Sequence, residues 1–156
     1  MSNMFCFQCE QTAGGVACVK SGVCGKKAPT STLQDELTGA MVGLARAAYD
    51  QPLSDEVTQT LLEGLFTTVT NVNFDDEAIQ RQIEKTRRVK STLGMPAPEF
   101  DMNTLWNANE DIRSLKSLIL FGIRGMAAYA YHAWVLGYKN DTVNRFLVKA
   151  LVAIGG

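Results

Sequence analysis

The cysteines of this chain fall between positions 6 and 24, in the stretch FCFQCEQTAGGVACVKSGVCGKK, and none occurs afterwards. Cys6, Cys9, Cys18 and Cys24 give the spacing C-x2-C-x8-C-x5-C. A C-x2-C turn lets two thiolates bind one metal centre from a single loop, and the third and fourth ligands must return through chain flexible enough to wrap around it. Gly14, Gly15, Gly22 and Gly25 supply that flexibility. Structural zinc sites usually show two tight ligand pairs, whereas here the second pair is five residues apart with no histidine nearby. A cubane is larger than one ion and needs longer arcs, and glycine-rich loops bring backbone N–H groups to its sulfurs. Spacing therefore ranks an iron–sulfur cluster first, zinc second, and a disulfide pair or free structural thiols third. Met4, Phe5 and Phe7 stand where they can shield such a cluster from water.

The thiols need a reducing compartment and a scaffold. A chain of 156 residues fits one domain with a sizeable core, or two small subdomains packed together. With 46% hydrophobic and 20% charged residues it reads as globular, and a net charge of -1 gives no reason to expect a nucleic-acid partner. No run of eighteen apolar residues occurs, and MSNMFCFQCEQ lacks the basic start and apolar core of a secretory signal. The expectation is cytoplasmic residence with no membrane partner, and clustered thiols there are more often metal ligands than disulfides.

The rest of the chain is helical in pattern, so the expected fold class is all-α. Ser31 with Gln34 reads as a capping box opening a first helix, with Leu33, Leu37, Met41, Leu44, Ala45 and Ala48 on one face, ending near Tyr49. Ser54, Asp55 and Glu56 open a second helix carrying Val57, Leu61, Leu62, Leu65 and Val69. A third, 75–93, keeps Ile79, Ile83, Thr86 and Val89 as a narrow apolar stripe, and its basic cluster at Lys85, Arg87, Arg88 and Lys90 reads as a solvated face. MPAPEFDMNTLWNAN, residues 95–109, breaks the periodicity and reads as a linker. Then Glu110 to about Gly137 carries Ile112, Leu115, Ile119, Ile123, Met126, Ala127 and Ala130, and Asp141 to Ile154 carries Val143, Leu147, Leu151 and Ile154.

The two halves echo each other. GLARAAY (43–49) matches IRGMAAY (123–129), and DEVTQTLLEGL (55–65) matches DTVNRFLVKAL (141–151). The expected organisation is a cluster-binding loop 1–30, a three-helix bundle 31–94, a linker 95–109, and a helical hairpin 110–156 whose third helix is absent. A truncated second half would leave an apolar helix face open to self-association, although Gly155 and Gly156 also suit a natural C-cap.

Other constellations carry little chemistry. Asp35 with Glu36, Asp75 to Glu77, and Glu110 with Asp111 read as helix-start carboxylates offsetting the dipole. His132, the single histidine, lies in AYAYHAWVLGY and reads as a packed or interface side chain, as do Tyr129, Tyr131, Trp134 and Tyr138. No phosphate loop, dinucleotide fingerprint or nucleophile elbow occurs.

MFCFQCEQT, the four-cysteine spacing followed by CGK, TLQD, GLFTTVTNVNFDD and EDIRSLKSLILFGIRGMAAYAYHAWVLGY together resemble the N-terminal domain of the hybrid cluster protein family. This is the prismane or hydroxylamine reductase family, related to the nickel carbon monoxide dehydrogenases. The resemblance implies two three-helix bundles with a cubane held by Cys6, Cys9, Cys18 and Cys24. It also implies that this cluster passes electrons to a mixed iron–sulfur–oxygen cluster that reduces hydroxylamine to ammonia, nitric oxide reduction having also been proposed for it. Members with longer arcs between these cysteines resemble a [2Fe–2S] subclass, so the short arcs here favour [4Fe–4S]. The hybrid-cluster ligands come from later α/β domains with no counterpart in these 156 residues. The implied partners are those catalytic domains and a redox donor protein. The competing reading is a helical scaffold whose cysteines hold zinc or a redox-inert cluster.

Overall fold

The computed structural model describes residues 4–156. The first three positions of the expected 1–30 loop, and of the stretch read for a secretory signal, lie outside the described residues. Six α-helices follow the cysteine loop: α1 (Ala28–Ala48), α2 (Asp55–Thr67), α3 (Asp76–Thr92), α4 (Met102–Trp106), α5 (Glu110–Val135) and α6 (Asp141–Gly155). The fold is all-α, and no strand forms among the described residues beyond one isolated antiparallel pairing of Cys6 with Cys18.

Local chemistry fixes most helix starts. The Ser54 hydroxyl accepts the Val57 N–H at 3.2 Å, the Asp75 carboxylate the Ala78 N–H at 3.1 Å, and the Asn140 side chain the Val143 N–H at 3.0 Å. Each satisfies one of the orphan donors that every helix N-terminus exposes. The first helix departs from the capping-box reading. It opens at Ala28 with Pro29 in its first turn, where a missing N–H costs nothing, and Lys27 at the cap position makes no side-chain cap. Ser31, Gln34 and Asp35 are therefore internal to α1. Buried Gln34 donates to the Asn73 carbonyl at 2.9 Å instead of capping.

α1 is the axle of the molecule. Leu37, Met41, Val42, Leu44, Ala45 and Ala48 are all fully buried, because α2, α3, α4 and α6 pack around it. α5 lies against α2 and α6, so helices from both halves of the chain contribute to one buried cluster. At the end of α1, the Arg46 guanidinium donates to the Pro98 and Gly155 carbonyls, each at 2.9 Å, joining the segment after α3 to the C-terminus of α6.

The segment 95–109 holds α4, a five-residue helix capped by Asp101, and it is strapped to α1. Phe100 donates its N–H to the Gly39 carbonyl at 3.1 Å, and a Cβ at position 39 would overlap the Phe100 carbonyl oxygen. The basic end of α3 fastens the same segment. Arg87 makes a two-pronged contact with Glu99 at 2.8 and 2.9 Å and also reaches Glu36, while Lys90 donates to the Ala97 carbonyl at 3.2 Å. The cluster read as a solvated face is thus largely engaged, because the chain folds back over it after Gly94.

α5 departs furthest from its expected pattern. Ile112, Leu115 and Ile119, placed in the core by periodicity, are exposed, Leu115 to 64%. The buried face is Ser117, Leu120, Ile123, Arg124 and Ala127. The C-terminal part of the expected stripe does face the core, with Ile123 and Ala127 buried and Met126 and Ala130 packed against it, while Ser117, Leu120 and Arg124 take the inward positions expected of Ile112, Leu115 and Ile119.

The repeat survives as two hairpins whose second helices each begin at an aspartate one residue after a cap, Asp55 and Asp141. In the first, GLARAAY closes α1; in the second, IRGMAAY lies mid-helix and α5 runs on to Val135.

A candidate iron–sulfur centre beside a buried arginine

The cysteine loop is organised by backbone pairing. Cys6 donates its N–H to the Cys18 carbonyl at 3.1 Å and accepts the Cys18 N–H at 2.8 Å, with a flanking bond from the Met4 N–H to the Val19 carbonyl at 3.2 Å. This places the first and third cysteines directly opposite one another. The chain reverses between them through Gly14 and Gly15, both with positive φ (63° and 67°), a conformation costly for residues bearing a Cβ. Gly22 serves differently: a Cβ there would press on Cys24 Sγ and Lys26 Cβ, each at 3.0 Å. Cys18 is buried, Cys6 and Cys9 are half-buried, and Cys24 is exposed at the rim.

Side chains of the opening stretch alternate as an extended segment requires. Met4 and Cys6 turn inward with Cys18 and Ala28. Phe5 and Phe7 turn the other way and anchor the loop: both rings contact Trp106, at centroid distances of 5.4 and 5.8 Å, and Phe7 also meets Phe121 at 6.4 Å. Of the three residues expected to shield the thiols, Met4 packs with them, while the phenylalanines pin the loop to α4 and α5.

The surroundings of Cys18 stabilise its thiolate form. Hydrogen bonds from the Ala13 and Val23 N–H groups to the Cys18 sulfur pull its pKa below the usual thiol value, against the opposing effect of burial and with help from the Lys26 charge. The Ala13 N–H lies 3.5 Å from Cys18 Sγ, and the buried Lys26 ammonium lies 3.8 Å from Cys6 Sγ. Among the described residues no three His, Cys, Asp or Glu side chains converge on one point that a single ion could occupy. In a cubane each iron takes its own cysteine, so its four sulfurs are distributed around a larger body. Four thiols on one loop, amide donors and a buried ammonium near sulfur form a donor set that fits an anionic iron–sulfur group, which Cys6, Cys9, Cys18 and Cys24 would hold.

Sequence reading missed the residues beneath the loop. Arg124 of α5 is only 5% exposed and lines a small cavity together with Phe5, Cys6, Phe7, Ser117 and Trp106. Its guanidinium donates to the Thr68 hydroxyl at 3.0 Å and the Thr38 hydroxyl at 3.3 Å. Burial lowers its pKa to about 10, against the raising effect of the Asp35 and Cys6 charges. Asp35, read as a helix-start carboxylate, lies two turns inside α1 and accepts the Trp106 indole N–H at 2.9 Å. Burial raises its pKa to about 6, against that hydrogen bond and the charges of Arg124 and Lys26. The available signal was an arginine interrupting the apolar run of IRGMAAYAYHAW at helical spacing from Leu120 and Ala127.

His132 is exposed and meets Phe66 edge-on at 5.6 Å, far in sequence from any cysteine. Of the aromatic set, Tyr131 stacks on Phe66 at 5.3 Å and Trp134 carries the Lys139 ammonium at 4.6 Å, whereas Tyr129 and Tyr138 stand in solvent.

The family model described as Prismane/CO dehydrogenase family matches residues 4–156, from the cysteine loop to the end of α6. The chain belongs to the Prismane/CO dehydrogenase family. It is similar to proteins named hydroxylamine reductase from Bacteroides fragilis (39% identity), Methanocella arvoryzae (38%) and Methanococcus vannielii (36%), each over 97% of this chain. The match covers 32%, 34% and 33% of those proteins respectively, so the chain spans about a third of the length of these relatives. Within this prismane domain, no helix among the described residues is long and apolar enough to cross a membrane.

Proposed function

We propose that this prismane-family domain is the iron–sulfur electron-transfer unit of a hydroxylamine-reductase-type enzyme, with a [4Fe–4S] cluster held by Cys6, Cys9, Cys18 and Cys24. The observation that carries the reading is the Cys6–Cys18 backbone pair, which fixes two thiols side by side with N–H groups and the Lys26 ammonium directed at their sulfurs. When bound, the cluster supplies reversible one-electron storage.

The chain's own residues hold the thiolates, exclude water on the Met4 side and fix the loop to the helices through Phe5, Phe7 and Trp106. The exposure of Cys24 supports approach of a redox donor protein from that side of the loop. The electrons then pass to catalytic domains that lie outside these 156 residues, where the substrate is reduced.

The test is iron, acid-labile sulfide and zinc content of anaerobically purified protein, followed by electron paramagnetic resonance after dithionite reduction. About four irons and four sulfides with a spin-half signal on reduction support the reading. One zinc with no sulfide overturns it and leaves the cysteine loop as a structural staple on a helical scaffold.

A further inference from the structure

We infer that Arg124 is the buried countercharge of the group held by the cysteine loop, and that it raises the reduction potential of that group. The inference rests on the cysteine-ligated iron–sulfur reading given above and assigns α5 a part in it.

Burying an ion carries an effective penalty of several kcal/mol unless a charge or dense hydrogen bonding compensates it. Arg124 has neither in full among the described residues. It forms no salt bridge, and its guanidinium, which carries five N–H donors, makes two hydrogen bonds among the described residues, both to neutral hydroxyls. Those hydroxyls are fixed in place. Thr38 donates to the Gln34 carbonyl at 2.9 Å and Thr68 to the Gly64 and Leu65 carbonyls at 3.2 and 3.0 Å, so each turns a lone pair toward the guanidinium. The cradle, built from α1 and α2, orients the cation without neutralising it.

Asp35 is the carboxylate whose charge acts on Arg124, yet its hydrogen bond is with the Trp106 indole and not with the guanidinium. The cavity in front of Arg124 opens on Cys6, and the buried Ser117 hydroxyl that lines it has no hydrogen-bond partner. Two buried cations from distant parts of the chain therefore act on Cys6: Lys26, whose ammonium lies 3.8 Å from its sulfur, and Arg124 of α5, which lines the same cavity as Cys6. Asp35 is shared between the Arg124 and Lys26 charges and balances one of the two, so a thiolate-ligated iron–sulfur group supplies the remaining negative charge. Adding an electron to it makes it more negative, so a fixed cation stabilises the reduced state more than the oxidised one.

The experiment is a redox titration followed by electron paramagnetic resonance on the anaerobically purified chain, comparing wild type with Arg124→Gln and Arg124→Lys. Iron and sulfide content and far-UV circular dichroism are recorded on each. The Gln variant, which keeps hydrogen bonding but loses charge, should shift the reduction equilibrium about tenfold toward the oxidised state, a midpoint lower by about 59 mV for one electron. The Lys variant should stay within about twofold of wild type. Loss of iron or of fold in the Gln variant alone, with the Lys variant loaded and unshifted, also supports the countercharge. Equal midpoints in all three overturn it, and so does loss of iron or helicity in both variants, which would make Arg124 a structural strut. A wild-type chain without a redox-active iron–sulfur group overturns the function proposed above and this inference with it, an outcome distinct from an intact cluster whose midpoint ignores Arg124.

Discussion

The Trp106 indole donates to the Asp35 carboxylate at 2.9 Å, joining the five-residue α4 to the middle of α1 across 71 positions of sequence. The same indole carries Phe5 and Phe7, the residues on either side of Cys6. One tryptophan thereby couples a buried carboxylate to the placement of the cysteine loop.

Asp35 makes stability depend on pH. Its folded pKa, about 6, lies above the usual 3.8, so between these values the folded chain binds more protons than the unfolded one, and stability falls as pH rises through this window. The charged groups facing it are Arg124, Lys26 and Asp101. Asp35→Asn keeps an acceptor for Trp106 and should remove this contribution. Above pH 6 the variant should be more stable than wild type by about 3 kcal/mol, the advantage fading toward pH 4. Thermal unfolding of both proteins across pH 4–8 checks it, and parallel profiles would contradict the assigned pKa.

Cys18→Ser should abolish iron and sulfide binding while leaving the helical signal largely intact. The cysteine loop has its own small cluster of Met4, Cys18 and Ala28, separate from the main core. Metal analysis and far-UV circular dichroism on the same sample decide this. Unchanged iron content would remove Cys18 from the ligand set.

Gly39→Ala should destabilise the fold by about 1–3 kcal/mol, because a methyl group there meets the Phe100 backbone carbonyl and not a movable side chain. Urea unfolding measures it. Gly122, whose Cβ would meet nothing, should accept the same substitution without loss and serves as the control.

The α5 faces should differ sharply. Leu120→Ala, at 2% exposure, should cost about 2–5 kcal/mol, whereas Leu118→Ala, at 68% exposure, should stay within about 0.5 kcal/mol. Equal costs in urea unfolding would mean that the outer stripe of α5 is covered.

Features that depend on near neighbours could be read from the order of residues. The starts of α2, α3 and α6 were legible at Ser54, Asp75 and Asp141, because a cap and the N–H it accepts lie within three residues, though the cap of α6 is Asn140, one residue before the start read there. The cysteine spacing and its glycines were legible for the same reason, as was the all-α class. The opening of α1 was misplaced because two local signals competed, and Pro29 at the first turn prevailed over the Ser31–Gln34 pair. Periodicity placed Ile123 and Ala127 of α5 in the core, but the inward turn of Leu120 and Arg124 was visible only in the folded chain, where the hydroxyls that orient Arg124 belong to Thr38 and Thr68, 86 and 56 positions away. The burial of Asp35 and the engagement of Arg87 were set in the same way, by partners at Trp106 and Glu99 that only the folded chain brings within reach.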